Sequence, residues 1–235
     1  MILVKPSFEI LTKLEHGKGR NYVRDLMVRI EQAGRTCYKS EDKITADSAN
    51  KFVAGIIASG HHSVIEHENI SVRIICDRGV THEIVRHRLC AYSQESTRYC
   101  NYKGGVTFVI PPWMDLEEGE WDQVGEITIP IKKGLKTSEV IMLYDVPSYQ
   151  QWLGVMIKCE RSYRRLLKNG WTPQQARSVL PNSLKTEIVM TANIREWRHI
   201  LGLRTSKAAH PQMREIMIPI LEEFSSLMPV LFAAL

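Results

Sequence analysis

The chain has 235 residues, enough for one large domain or two small ones. Its hydrophobic fraction of 44% and charged fraction of 24% are typical of soluble globular proteins. No apolar run approaches the roughly 20 residues that span a bilayer, and the N-terminal segment turns polar too early for a signal peptide. We therefore expect a cytoplasmic protein, and the net charge of +5 favours an anionic ligand without identifying it.

The number and spacing of the cysteines bear on whether the chain has a zinc site or a disulfide framework. There are five, an odd number, and no two form a C-x-x-C pair. A zinc site or a disulfide framework is therefore disfavoured. We expect most of them to be small buried hydrophobic residues in a reducing compartment.

Hydrophobic periodicity in the first half of the chain predicts short strands and helices. The predicted strands cover residues 1–4, 8–12 and 69–76, and the predicted helices cover 22–33, 45–59 and 79–88. Gly34 and Gly60 are expected to end the first two helices, because glycine readily adopts the left-handed conformation of a helix stop.

The second half begins with a predicted strand over 105–110, ended by two prolines. Residues 113–130 are acidic and show no period, so we expect a surface excursion there. A long helix is predicted over 148–168, and Thr172, Pro173 and Gln175 form a capping pattern for a further short helix. Periodicity leaves residues 184–192 undecided between strand and helix, and helices over 195–203 and 212–227 close the chain. With no repeat or linker, a single domain over 1–235 is expected.

The run from Val85 to Tyr99 concentrates basic groups and hydroxyls. Arg86, His87, Arg88 and Arg98 lie among the hydroxyls of two tyrosines, two serines and Thr97. A packed core gains nothing from such mutually repelling groups. Guanidinium and hydroxyl donors suit a ligand rich in phosphate and carbonyl oxygens, because arginine binds such oxygens through planar, paired donors.

Other clusters carry weaker signals. His61–His67 matches neither common zinc-hydrolase pattern, so a polar loop is favoured over a metal site, although these side chains are also suited to facing a ligand. Gly17-Lys18-Gly19 lacks the third glycine and the βαβ context of a dinucleotide-binding loop. The basic residues Arg161, Arg164, Arg165 and Lys168 on the long helix indicate either a solvated face, which we favour, or a nucleic-acid patch.

Four motifs together resemble those of the flavin-dependent thymidylate synthases, over about residues 60–214. The family signature R-H-R, seven residues, Ser is matched by Arg86-His87-Arg88 and Ser96. The other three follow in the family's order and spacing: His61-x-Ser63-x-x-Glu66-His67, Arg177-x-x-Leu180-Pro181, and Asn193-x-Arg195 with His199 and Leu203-Arg204.

This resemblance implies an α+β fold in which a mostly antiparallel sheet is flanked by helices, assembled as a homotetramer with active sites at subunit junctions. It implies FAD as bound cofactor and the conversion of dUMP to dTMP, with methylenetetrahydrofolate as carbon donor and NADPH as reductant. The positions that match FAD contacts are Ser63, Arg86, His87, Arg88, Asn193, Arg195 and His199. The positions that match the dUMP site are Glu83, Arg86, Gln94, Glu95, Ser96, Thr97, Arg98, Arg177 and Arg204.

Arg204 matches the arginine that favours ionisation at N3 of the uracil. Because an arginine stays protonated near neutral pH, it is expected to act electrostatically, polarising C5 without a covalent nucleophile. Cys90 lies inside the signature, and we expect a structural role for it, since no base stands near it in sequence. No metal ion is expected.

Two positions depart from the family pattern. The chain has Glu83 where glutamine is usual and Gln94 where glutamate is usual. One interpretation is a compensated exchange with dUMP still the substrate; another is flavin-dependent hydroxymethylation, or one-carbon transfer to dUMP or dCMP. A basic protein that binds nucleic acid through Arg161–Lys168 is the alternative from a different class, and the four motifs disfavour it.

Overall fold

The computed structural model describes residues 1–14, 16–17, 20–124, 129–133 and 147–235. Contacts divide the chain into two compact units, each built from three separate segments. The first unit contains Met1–Ser7, Ile75–Glu83 and Gln94–Ile188, and the second contains Phe8–Ile74, Ile84–Ser93 and Val189–Leu235. Helices and sheets both contribute, which confirms the predicted α+β class. Lys18 and Gly19 of the Gly17-Lys18-Gly19 segment lie outside the described residues.

The described strands are β1 Ile2–Val4, β2 Ser7–Ile10, β3 His16–Gly17, β4 Arg20–Asn21, β5 Asn69–Asp77, β6 Cys90–Gln94, β7 Thr107–Val109, β8 Gly119–Val124, β9 Ile129–Lys132 and β10 Lys185–Asn193. The described helices are α1 Tyr22–Tyr38, α2 Ser48–Ala58, α3 Arg78–Ile84, α4 Pro147–Lys168, α5 Pro173–Ala176, α6 Ile194–Arg204, α7 Pro211–Leu227 and α8 Pro229–Phe232. Short 3₁₀ turns cover Glu41–Lys43, His62–His67 and Arg177–Val179. None of the helices in the described part of the chain has the length and apolar character of a bilayer span.

A four-stranded sheet in the order β7-β1-β8-β9 organises the first unit. β1 runs antiparallel to β8 but parallel to β7, so the sheet is mixed rather than wholly antiparallel. Its core joins β-strand residues such as Leu3 and Phe108 to Leu153, Met156 and Tyr163 of α4. Burial of these side chains is the main favourable term holding α4 to the unit.

The segment expected to be a surface excursion differs from that expectation. Over 119–124 it forms β8, which pairs with β9, and Trp121 is buried in the core. The Trp121 backbone N–H donates to the carbonyl of Met1 at 2.9 Å. Periodicity failed here because acidic residues around the single buried aromatic hide the strand pattern. Residues 125–128 lie outside the described part.

The second unit combines helices with residues of a sheet whose strand order is β2-β5-β10-β6. β10 alternates buried and half-buried residues along its length, which settles the undecided segment as a strand. Trp197 of α6 and Phe224 of α7 meet edge to face, with 5.3 Å between ring centroids. The Trp197 indole N–H donates to the Ile70 carbonyl at 2.9 Å, so this large side chain is buried with its polar atom satisfied.

Two predicted helix ends and the predicted burial of the cysteines were wrong. α1 continues through Gly34 to Tyr38, and α3 ends at Ile84 instead of reaching residue 88. The Tyr92 hydroxyl lies 2.8 Å from the carbonyl oxygens of Ile84 and His87, and so satisfies groups exposed at the helix end. All five cysteines are free, and only Cys76 is buried.

Gly34 is required by packing rather than as a helix stop, and a pair of alanine substitutions tests this. A Cβ added there would lie 2.6 Å from Phe52 Cε1 and 3.0 Å from Val64 Cγ1. We expect Gly34→Ala to lower the free energy of unfolding by about 1–3 kcal/mol in chemical denaturation. Gly55→Ala, in α2 with nothing within 4 Å of its Cβ, should raise it by about 0.5–1 kcal/mol. Equal effects of the two substitutions would contradict the packing argument.

Candidate active site

All seven positions that match FAD contacts belong to the second unit, and the start of α6 positions three of them. Asn193 is the residue before the helix, and its Oδ1 accepts a hydrogen bond from the Glu196 backbone N–H at 2.8 Å. This cap fixes where the helix begins. The rotation of α6 is thereby set, and with it the directions of Arg195, His199 and Arg204.

His87 lies at the centre of a buried polar cluster in this unit. Only 7% of its surface is exposed. Its Nε2 accepts a hydrogen bond from Arg204 Nε at 3.0 Å, and its Nδ1 lies 3.8 Å from Glu196 Oε1. The His199 ring stands edge-on to it at 6.0 Å between centroids. Because guanidinium N–H groups only donate, Nε2 must carry the lone pair and the ring proton belongs on Nδ1, facing the carboxylate.

The electrostatics of the cluster keep His87 neutral. Burial, followed by the positive charge of Arg204 and the neighbouring His199, lowers the pKa of His87 to about 4. A protonated ring would lose the acceptor that Arg204 uses. His87 is therefore a fixed hydrogen-bond acceptor at neutral pH rather than a general acid.

His87, Glu196 and His199 also have the geometry to hold a metal ion, since their ligand atoms lie within 4.8 Å of one another. The chemistry of the surroundings opposes it. The lone pair on His87 Nε2 is already directed at Arg204, and a second cation would stand beside that guanidinium. The His61–His67 segment forms no such group among the described residues.

The remaining cofactor positions are solvent-facing. Ser63, Arg86, Arg88 and Arg195 are all exposed, and Arg86 and Arg88 bond to no side chain in the described ranges. Arg195 instead forms an ion pair with Glu66. Exposed guanidinium groups and a serine hydroxyl suit a cofactor that carries a diphosphate and ring carbonyls, so this donor set fits FAD.

Glu196 and Tyr92 complete the cluster. Sequence reasoning missed Glu196, and it counted the Tyr92 hydroxyl as suited to a ligand, whereas that hydroxyl lies against the Ile84 and His87 carbonyls. Burial, the hydrogen bond from Cys90 and the charge of Glu196 raise the pKa of the Tyr92 hydroxyl. Burial raises the pKa of the Cys90 thiol as well, and Glu196 adds to the effect although the Tyr92 hydrogen bond opposes it. The i, i+3 spacing of Glu196 and His199 placed both on one helical face, but nothing local linked that face to His87.

Seven of the nine positions that match the dUMP site lie in the first unit, and the exceptions are Arg86 and Arg204. The structure brings together Thr97 and Arg177, whose Nη1 donates to Thr97 Oγ1 at 3.1 Å. Arg98 Nε donates to Gln174 Oε1 at 3.2 Å, and its own backbone N–H donates to Ser96 Oγ at 3.3 Å. Two guanidinium groups and a serine hydroxyl therefore lie on two segments, 96–98 and 174–177, that are joined by hydrogen bonds.

Gln94 and Glu95 have partners inside the same unit. Gln94 Nε2 donates to Thr81 Oγ1 at 3.0 Å and lies 3.3 Å from Thr186 Oγ1. The Thr81 hydroxyl donates its single hydrogen to the Arg78 carbonyl at 3.0 Å, so it can only accept from residue 94. An amide supplies that donor and an ionised carboxylate does not, which gives a physical reason for glutamine at this departure from the family pattern.

Glu95 is the acceptor of a second internal network. It accepts from the Tyr102 hydroxyl at 2.6 Å and from Lys185 Nζ at 3.2 Å. Burial raises the pKa of Tyr102, and the Glu95 carboxylate raises it further. For Lys185, burial acts to lower the pKa but the bonds with Glu187 and Glu95 outweigh it, so the net shift is upward.

Comparison with known proteins identifies the family of this chain. The profile of the thymidylate synthase complementing protein family matches residues 21–230. The flavin-dependent thymidylate synthase of Mycobacterium sp. (strain JLS) is 34% identical over 214 residues, covering 87% of this chain and 78% of that protein. The chain belongs to the flavin-dependent thymidylate synthase family. The counterpart from Mycobacterium avium (strain 104) is 33% identical over 211 residues, covering 87% of this chain and 77% of that protein.

Solved structures agree on the fold. A UMP/dUMP methylase, PolB from Streptomyces cacaoi, bound with 5-Br dUMP, superposes with a TM-score of 0.70 at 22% identity, covering 100% of this chain and 96% of that chain. The same protein bound with 5-Br UMP gives a TM-score of 0.68 at 21% identity, covering 99% and 94%. Membership of the flavin-dependent thymidylate synthases makes this chain a flavoenzyme of the methyltransferase class, with FAD as its cofactor.

The neutral state of His87 predicts a pH dependence of stability. Its folded pKa lies below the ordinary value, so the unfolded chain binds a proton that the folded one does not between about pH 4 and 6.5. This stability is fully present above about pH 6.5 and is lost as pH falls toward 4, by up to about 3 kcal/mol.

Urea unfolding of the flavin-free protein from pH 4.5 to 7.5 measures this. His87→Gln keeps an acceptor for Arg204 but has no titrating group. The slope of its free energy of unfolding against pH should therefore be smaller than that of the parent chain, by the equivalent of close to one bound proton. Identical slopes for the variant and the parent chain would contradict a depressed pKa at His87.

The donor requirement at residue 94 makes a second prediction. Gln94→Glu should lower the free energy of unfolding by about 1–3 kcal/mol at pH 8 and by less at pH 5, where the carboxyl group can be protonated and donate. Gln175→Glu is the matched control, because Gln175 Oε1 accepts from the Thr172 N–H at 2.9 Å and a carboxylate does the same. We expect a change within about 0.5 kcal/mol for the control. A Gln94→Glu cost that is equal at both pH values would rule out the donor argument.

Proposed function

We propose that this chain catalyses the reductive methylation of dUMP to dTMP, using methylenetetrahydrofolate as carbon donor and NADPH as reductant, with FAD bound. We further propose a cytoplasmic homotetramer with active sites at subunit junctions, as the family resemblance implies. The hydrogen bond from Arg204 to neutral His87 is the observation that best supports the assignment. It holds in place a permanent positive charge that the reaction requires beside the pyrimidine.

Arg204 acts on the pyrimidine through its charge. Ionisation at N3 of the uracil spreads negative charge over the ring and enriches C5 in electrons. A guanidinium group held by His87 stabilises that charge without needing to reorganise during the reaction. The proton leaves N3 for solvent rather than for Arg204, since an arginine has no lone pair to accept it.

Arg98, Arg177 and Ser96 form the proposed phosphate site. Their donors lie on two hydrogen-bonded segments of the first unit. Thr97 accepts a hydrogen bond from Arg177, and Gln174 accepts one from Arg98. Guanidinium groups that are already oriented lose less side-chain entropy when a phosphate binds. Glu95, held by Tyr102 and Lys185, keeps the adjacent backbone in position.

Ser63, Arg86, Arg88, Asn193, Arg195 and His199 would hold the cofactor, together with His87. FAD bound there, once reduced by NADPH, would supply the electron pair that reduces the transferred carbon to a methyl group. Arg86 and Arg88 would stabilise negative charge on the cofactor, because both are exposed and bond to no described side chain. His87 accepts a hydrogen bond from the Arg204 Nε–H and so orients its guanidinium group.

Cys90 has no nucleophilic role in this proposal. Its raised pKa leaves less thiolate at neutral pH, and thiolate is the reactive form. The environment of Gln94 bears on the substrate as well. Because the Gln94 amide is engaged by Thr81 and Thr186, internal hydrogen bonding explains the glutamine at this position, and a change of substrate from dUMP is not needed to explain it.

An anaerobic single turnover tests the proposal. The purified yellow protein is reduced with NADPH, mixed with dUMP and methylenetetrahydrofolate, and the nucleotide product is identified by mass, with dCMP in a parallel reaction. We expect dTMP from dUMP and no change in dCMP. A hydroxymethylated product, or reaction with dCMP alone, would overturn the assignment.

Two variants separate the roles of Arg204 and Cys90. Arg204→Lys should keep FAD absorbance but lower kcat by about 100-fold or more, since a flexible ammonium cannot retain the Nε–His87 geometry. Cys90→Ala should keep kcat within about threefold of the parent enzyme. Loss of turnover in Cys90→Ala with FAD still bound would establish a covalent role and reject this mechanism.

A further inference from the structure

α4 carries an unusual set of exposed charges. Its exposed ionisable residues are all cations: Lys158, Arg161, Arg164, Arg165 and Lys168. The one acid on the helix, Glu160, is turned inward, where it accepts from the Val106 N–H at 3.0 Å and pairs with the Met1 amino group at 2.9 Å. None of the five cations makes an ion pair with a residue in the described ranges.

Such an arrangement costs stability. Arg161 and Arg165, and likewise Arg164 and Lys168, are like charges four positions apart, and each such pair destabilises a helix by about 0.2–0.5 kcal/mol. A helix face that only contacts solvent would be more stable with glutamates placed between these cations. The pattern is the one expected where an external polyanion supplies the counter-charge.

A pocket at the C-terminal end of this face adds a second, independent feature. It encloses about 370 Å³ and is lined by Asn101, Lys103, Arg164, Leu167, Lys168, Trp171 and Pro173. Three of these are cations and none is acidic. Trp171 is 45% exposed, so its indole is accessible to a ligand in this pocket.

The pocket is built by local structure. Asn101 Oδ1 accepts from the Lys103 backbone N–H at 2.9 Å, which turns the chain and presents Lys103 beside the helix. α4 ends at Lys168, and the Trp171 backbone N–H donates back to the Leu166 carbonyl at 3.0 Å. The indole is therefore held next to the last cations of the helix instead of on a loose loop.

We propose that this face, comprising the five α4 cations with Lys103 and Trp171, binds single-stranded nucleic acid. The cations contact successive phosphates, and one base enters the pocket and stacks on Trp171. A basic track with an aromatic platform is the arrangement by which sequence-tolerant single-strand binders work. Asn101 adds an amide near the pocket for the edge of the base. None of these residues is among those proposed to bind dUMP or FAD.

The test uses the full holoenzyme and a fluorescein-labelled 12-nucleotide oligo-U, followed by anisotropy at several salt concentrations. We expect Trp171→Ala to weaken binding about tenfold, because stacking of one base contributes about 1–3 kcal/mol. Trp113→Ala, which removes another exposed indole, should leave affinity unchanged. The double change Arg164→Ala/Lys168→Ala should reduce the slope of log K against log salt by about 1.4.

Controls separate the proposal from general electrostatics. Lys13→Ala/Lys43→Ala removes the same charge from exposed positions elsewhere and should leave the salt slope nearly unchanged. Poly-glutamate of matched charge should compete poorly. The proposal is overturned if oligo-U does not bind at 50 mM salt, if poly-glutamate competes equally, or if Trp171→Ala binds like the parent. Turnover of Trp171→Ala should stay at the parent level, so failure here is distinguishable from failure of the proposed methylation.

Discussion

The unprotonated state of His87 is the constraint on which the second unit depends. A ring proton on Nε2 would break the bond from Arg204 and set two positive charges side by side in a buried setting. Burial makes the neutral form the stable one, and the Glu196 carboxylate near Nδ1 fixes the tautomer. The Asn193 cap then matters because it sets the rotation of α6, which carries both Glu196 and Arg204.

In the first unit, the direction of the hydrogen bonds determines which side chains each position can hold. A chain of donors runs from Gln94 to Thr81 and from Thr81 to the Arg78 carbonyl, and reversing one member leaves two acceptors facing each other. Arg177 and Thr97 extend the same logic, since Thr97 is buried and its hydroxyl accepts from the guanidinium. Arg177 and Arg98, which are proposed to meet the phosphate, are thus held in place by Thr97 and Gln174.

The sequence was most predictive where a signal is local. The Thr172 capping pattern and the long helix α4 depend on residues close in the chain, and both elements appeared as expected. Gly34 gave a wrong helix end, because the sequence does not distinguish a glycine that leaves room for the Phe52 ring from a glycine that ends a helix. The His87–Glu196 contact and the donor chain from Gln94 join distant segments, and no spacing rule reports such pairs. β8 was missed since one buried tryptophan gives no period.

Ion pairing with acidic residues distinguishes the cations that have a structural role from those that are available to a ligand. Arg29 with Glu68 and Arg35 with Glu31 are neutralised inside the second unit, and they need no external partner. Arg86, Arg88 and the exposed cations of α4 have no acid among the described residues to neutralise them. Arg195 belongs to neither group, because it matches a cofactor position yet pairs with Glu66. A cofactor phosphate or carbonyl at Arg195 would compete with that carboxylate, so Glu66 holds the guanidinium in position while weakening its hold on the ligand.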